Sequence, residues 1–228
     1  MAGSLSAMAD WTAELDVFCA DTGSLKLGNF AWARRIPDAA VEVHPHADIA
    51  ALVDAVAEVL AAGRPVALGF EAPMFVPVPE DPAQLAKARP CDAGAAAWCS
   101  PPGGAVLTQA LAQVPWILER THDRVPDTEV HFSWEPFSAA QRGLLLWEAF
   151  VSGNAKGETH VEDAENAITA FCAQLPEVGD AIANETQRPF SFVAAAAQWA
   201  GFDIVADELR GPCVLVRAPD IDAEPATS

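Results

Sequence analysis

The stretch FCADTGSLKLGNFAWA, residues 18–33, decides how this chain is read. An apolar run carries one carboxylate, Asp21, and breaks at once into Thr22, Gly23 and Ser24 before apolar residues resume through Phe30 and Trp32. Two apolar runs on either side of a cluster of turn residues predict an antiparallel hairpin. Strands are expected over 16–21 and 27–34, with a third short strand over 39–43 completing a meander. A lone Asp at a strand end either accepts backbone N–H groups in a turn or holds a charge where something needs it. The rest of the chain decides between the two.

Downstream, HADIAALVDAVAEVLAAG (46–63) places Ile49, Leu52, Val53, Val56, Val59 and Leu60 at three-to-four spacing and closes on Gly63, the pattern of an amphipathic helix. PVALGFEAP (65–73) is nearly continuous in apolar residues, as a strand buried on both faces in parallel pairing is. Strand, helix and strand make a right-handed crossover. Residues 72–102 are Pro-rich without a clean period and read as a long loop, a length that is more often functional than accidental. A second helix over 104–122 is expected to be interrupted at Pro115. LLLWEAF (144–150) is a further buried strand, and HVEDAENAITAFCAQL (160–175) a third helix with acids at its positive end. PFSFVAAAAQWAGF (189–202) reads as a fourth helix and CVLVRAP (213–219) as a last strand. The expected fold is α/β: a mixed five-stranded sheet, three strands antiparallel and then parallel strands, with helices on both faces. One domain over 14–218 is expected, between frayed ends at 1–13 and 219–228.

With 228 residues, 51% of them hydrophobic, the chain can bury one sizeable core. Thirteen basic residues stand against thirty-two acidic ones, a net charge of −19. Nucleic-acid binders draw most of their affinity from Lys and Arg on phosphates, so a polyanion would have to be recruited through a metal ion or a small local patch. The charge also suits a basic protein partner. Five cysteines without a C-x-x-C pair argue against a zinc site or a disulfide framework, and His44 and His46 form an isolated H-x-H. No run of eighteen apolar residues occurs, and the start lacks the basic and apolar regions of a signal peptide. A soluble, cytoplasmic protein is expected, with no membrane partner. Trp11, Trp98, Trp116 and Trp134 are candidate exposed aromatics.

Three apolar segments end near a carboxylate: Asp21, Glu71 and Glu148. Asp163 begins the third helix. In sheets with parallel pairing, ligand sites form outside the carboxyl ends of the strands, so neighbouring strands would make these acids converge. Asp21 alone is explained by a turn and Asp163 by a helix dipole, the role left to Glu162 and Glu165. Glu71 has no adjacent cation and is costly to bury. Glu148 has only Arg142 within reach across a turn.

This order of elements, with acids on the first, fourth and fifth strands and on the last long helix, resembles the ribonuclease H-like fold. Asp21-Thr22-Gly23-Ser24 with Gly28 and Trp32 resembles its opening hairpin. Glu71-Ala72-Pro73, Trp147-Glu148-Ala149-Phe150 and Glu162-Asp163-Ala164-Glu165-Asn166-Ala167 are similar to motifs of the DUF429 group of predicted nucleases. The resemblance covers residues 15 to 175. It implies two-metal phosphodiester hydrolysis with Mg²⁺ or Mn²⁺. Asp21 would bridge both ions, Glu71 and Glu148 would hold one, and Asp163 the other. Asn166 would offer a weaker oxygen ligand where relatives carry Asp, and Glu71 stands where the group usually has Asp. His160 is a candidate proton shuttle or phosphate contact, and Lys26 a candidate phosphate contact. The expected substrate is a short or single-stranded nucleic acid. The alternative is a catalytically inactive acidic protein on the same fold that binds a basic partner. Asp21-Thr22-Gly23-Ser24 also resembles the first phosphate loop of the sugar-kinase and actin superfamily, an architecture that needs two such domains and more chain than this one has.

Overall fold

The computed structural model describes residues 11–36, 41–44, 48–93, 95–179 and 188–219. Most of both expected frayed ends, and the side chains of His44 and His46, lie outside them. β1 (Asp16–Thr22), β2 (Phe30–Arg35) and β3 (Val41–His44) form the antiparallel meander, with Asp21 opposite Ala31. α1 (Ile49–Ala61) starts at Asp48, whose carboxylate accepts from the Ala51 N–H at 2.9 Å, and leads into β4 (Val66–Glu71). β5 (Phe75–Pro77), α2 (Pro101–His122), β6 (Val130–His131) and α3 (Trp134–Ala140) precede β7 (Leu144–Phe150). α4 (His160–Cys172), β8 (Pro189–Ser191), α5 (Phe192–Trp199) and β9 (Val214–Arg217) complete the chain.

The fold is α/β with a mixed sheet in the order β3-β2-β1-β4-β7-β6, and β9 also pairs with β7. β4 lies parallel to β1 and to β7, as its two-sided burial predicts. The sheet has seven strands where five were expected, because β7's outer edge is shared end to end. β6 covers its start, with Val130 opposite Leu144, and β9 its end, with Val214 opposite Trp147. The Val214 N–H donates to the Phe132 carbonyl at 2.7 Å and joins the two segments.

Side chains along a strand alternate between faces, and here the parity sorts two cores. Phe18, Ala20, Leu68, Phe70, Leu144 and Leu146 pack with α1, α2 and α5. Val17, Cys19, Ala67, Leu145, Trp147 and Ala149 face α3 and α4. Gly69 lies on this second side opposite Trp147, and a Cβ there would stand 2.3 Å from the indole.

Three expectations change. α2 runs through Pro115 unbroken; the carbonyl that loses its partner belongs to exposed Leu111, where water can serve it. The start of the expected fourth helix is β8, which pairs with β5 in a separate two-stranded sheet, so α5 begins only at Phe192. Segment 72–102 is less irregular than its composition suggests: it contains β5 and 3₁₀ turns at Pro82–Gln84 and Pro90–Asp92.

Candidate functional site

Parallel register puts Asp21 of β1 directly beside Glu71 of β4 at the carboxyl ends of both strands. Both share parity with Cys19 and Ala67, so they face α4. The start of α4 is fixed by a capping box: Thr159 Oγ1 accepts from the Glu162 N–H, and the Glu162 carboxylate accepts from the Thr159 N–H, each at 3.2 Å. That occupies Glu162, as its dipole position suggested, and turns Asp163 inward. Asp163 is 4% exposed, and its Oδ1 accepts from the Gly157 N–H at 2.8 Å. Lys156 lies between two acids, Nζ at 3.3 Å from Asp163 Oδ2 and 3.4 Å from Glu71 Oε1. His160 Nδ1 stands 2.6 Å from Asp21 Oδ2, so it is no bystander at the helix start. One ligand atom each from Asp21, His160 and Asp163 lies within 4.8 Å of the others.

The electrostatics of the cluster follow from its burial. Desolvation, reinforced by Asp163, pushes the Asp21 carboxyl up from 3.8 to about 7, although Lys156 and Glu71 pull it back. Glu71 is raised as well, first by desolvation and then by Asp21. Desolvation would lower the Lys156 ammonium, but Glu71 and Asp163 hold it above its ordinary value. Three carboxyl groups thus share a single ammonium, Lys156, and the raised Asp21 and Glu71 carboxyls reflect how poorly the buried cluster tolerates its own negative charge. A cation would relieve that repulsion, and the carboxylate and imidazole donors of Asp21, Asp163 and His160 are of the kind that hold one.

Glu148 does not join this cluster. Its parity is that of Leu144 and Leu146, it sits opposite Phe70, and so it points to the other face of the sheet. There Arg89 takes both oxygens, at 2.7 Å (Nη2 to Oε1) and 2.9 Å (Nη1 to Oε2), and the Met74 N–H donates to Oε2 at 2.8 Å. Arg89 also grips Asp92 Oδ1 at 2.8 and 3.1 Å and donates to the Phe75 carbonyl at 3.1 Å. Arg89, Asp92 and Glu148 are all buried. Burial raises the Glu148 carboxyl and Arg89 only partly offsets it. Glu148 is therefore a pin that ties segment 72–102 to the sheet, and Arg142, its expected partner, instead faces Glu129 at 3.5 Å.

Asn166 points its amide to the Ala155 carbonyl at 3.0 Å, bracing the turn that carries Lys156. Lys26 is exposed on the Leu25–Leu27 turn and makes no ion pair among the described residues. Trp11 and Trp134 are buried rather than exposed, Trp98 and Trp116 are partly buried, and Trp199 is the exposed indole. Sequence reasoning missed Lys156 and Arg89. Their signals were present: Lys156 lies in the short connection from a strand end to Asp163, and a buried Glu148 demands a cation, for which the Pro-rich loop offers only Lys87 and Arg89. Comparison with protein families, with curated proteins and with solved structures finds no match for this chain.

Proposed function

We propose that this chain is a divalent-metal-dependent phosphodiester hydrolase built on a ribonuclease H-like sheet. The observation that carries the reading is the convergence of Asp21 and Glu71, at the ends of two adjacent parallel strands, with Asp163 and His160 of α4. Asp21, Asp163 and His160 would hold one ion, with Glu71 flanking it. A ligand set of mixed oxygen and imidazole suits Mn²⁺ better than Mg²⁺, which prefers oxygen throughout. Glu148 has no part in it, and Lys156 occupies the space between Glu71 and Asp163, so a single ion assisted by a lysine accounts for the site better than two ions. When bound, such an ion neutralises phosphate charge and acidifies water.

The chain's own groups prepare the rest. Lys156, half exposed, presents a second positive charge to an incoming phosphodiester. Without metal, Asp21 Oδ2 orients the imidazole of His160 through Nδ1, a contact that an ion held by both would replace, and Thr159 and Glu162 fix the backbone beneath it. The net charge disfavours a long duplex, for which each phosphate needs a cation. One observation supports the alternative of an inactive acidic binding protein: Lys156 already pairs with two of the three acids. Calorimetric titration with Mn²⁺ separates the readings. The expected result is one saturable site, lost in Asp21→Asn, with Mn²⁺-dependent hydrolysis of bis(p-nitrophenyl) phosphate lost in the same variant. Absence of binding at millimolar Mn²⁺ would refute the hydrolase.

A further inference from the structure

Beside the carboxylate cluster a slot of about 100 Å³ opens between β7 and the start of α2. Pro73, Trp98, Pro102, Val106, Phe150 and Val151 wall it, and Glu71 and Lys156 stand in its lining. Arg89 also borders it, but its donors are spent on Asp92, Glu148 and the Phe75 carbonyl. The slot is thus apolar along its sides, with Ser152 the small polar residue in the wall, and it is charged where it meets the site.

Its shape is set before any ligand arrives. The Trp98 indole N–H donates to the Lys87 carbonyl at 2.8 Å, so the ring is anchored by its polar edge. The Trp98 backbone N–H donates to Asp92 Oδ2 at 3.4 Å, linking it to the buried Arg89 pin. On the other side α2 approaches closely: a Cβ on Gly103 would lie 2.3 Å from the Ala97 carbonyl and 2.9 Å from Trp98 Cα. The pin on one sheet face therefore places an indole next to the acids of the other.

We infer that this slot takes one unpaired nucleobase of the substrate, so that the substrate class is single-stranded nucleic acid or a frayed strand end. The inference rests on the hydrolase reading and deepens it. Apolar cavities of roughly 150 Å³ enclose a benzene ring; at about 100 Å³ this open slot is smaller, so it would seat a flat ring only in part, against its walls, with the remainder in solvent. A ligand that joins such a ring to an anionic phosphodiester by a short sugar matches apolar walls contiguous with the Lys156 ammonium. A base within a duplex is stacked on both sides and cannot enter without leaving its pair. With basic residues so few, base stacking must supply affinity that phosphate contacts elsewhere supply.

The test is fluorescence anisotropy with labelled oligothymidylate and an abasic oligomer of equal length, in Ca²⁺ to suppress turnover. Wild type is expected to bind the oligothymidylate about ten- to a hundred-fold more tightly. Trp98→Ala should abolish the preference and Trp98→Phe should keep it. Val106→Trp, which fills the slot from α2 and leaves Trp98 unsubstituted, should abolish it independently, with near-ultraviolet dichroism verifying each fold. Equal binding of both oligomers overturns the inference while leaving the hydrolase standing; a slot that receives an aromatic side chain of a protein partner would give that result. A preference that survives both Trp98→Ala and Val106→Trp also overturns it. Binding of neither oligomer also overturns this inference, and the hydrolase then stands or falls separately on the Mn²⁺ titration.

Discussion

Asp21→Asn should stabilise the metal-free protein at pH 8, and the size of the gain can be worked from its surroundings. The folded carboxyl titrates at about 7 against an ordinary 3.8, chiefly because it is desolvated beside Asp163. Between those values the folded state keeps a proton that the unfolded state has released, so stability falls as pH rises through the window and stays low above it. About three pH units at 1.36 kcal/mol each give a penalty of about 4 kcal/mol above pH 7. Glu71, raised for the same reason, adds to it in the same direction. Asn has nothing to ionise. Urea denaturation in chelator at pH 5 and pH 8 should therefore show wild type losing stability across the interval while the variant loses less. At pH 8 the variant should be the more stable, by up to about 4 kcal/mol less whatever its lost contact with His160 costs. Adding Mn²⁺ at pH 8 should raise the wild-type midpoint and leave the variant's unchanged, by the linkage of binding to folding. A variant less stable than wild type at pH 8 without metal, or parallel pH profiles for the two, would mean that Asp21 is an acceptor the fold requires and that the cluster is not poised for a cation.

Removing Lys156 as Lys156→Met takes away the one ammonium that lowers Asp21 and Glu71. The metal-free thermal midpoint at pH 8 should fall, and the Mn²⁺-induced rise should be larger than in wild type. Arg89→Met strands Glu148 and Asp92 without a counter-charge and should cost about 3–5 kcal/mol in urea denaturation; Arg89→Met with Glu148→Gln should recover part of it, whereas full additivity would deny the pairing. Gly69→Ala drives a Cβ into the buried Trp147 ring and should cost about 1–3 kcal/mol, a loss that Trp147→Phe should lessen when combined with it.

Much of the fold was legible because each element stated itself locally. The meander, the strand 66–71 with two buried faces and the helix that opens on Glu162 and Asp163 all follow from period and caps. β6 is two residues long, and β8 sits at the front of an alanine-rich helix, so neither carries a pattern of its own. The site was half legible. Asp21, Glu71 and Asp163 do meet, but grouping Glu148 with them neglected the period of two. Parallel neighbours in register give Glu71 the face of Asp21, and Glu148, opposite Phe70, the other. Arg89 was harder to place because it meets Glu148 from fifty-nine residues away, whereas Lys156, seven residues before Asp163, was overlooked despite its local signal.

The divided edge of β7 also bears on the order in which the protein is made. β6 precedes β7 and can cover its first half as soon as β7 emerges, but the partner of the second half, β9, is translated last among the described strands. At roughly 5–20 residues per second, the interval between Phe150 and Val214 leaves the carboxyl half of β7, beside Glu148, with an open row of amides and carbonyls for about 3–13 seconds. Residues 214–217 close that row only after the other described strands have been made.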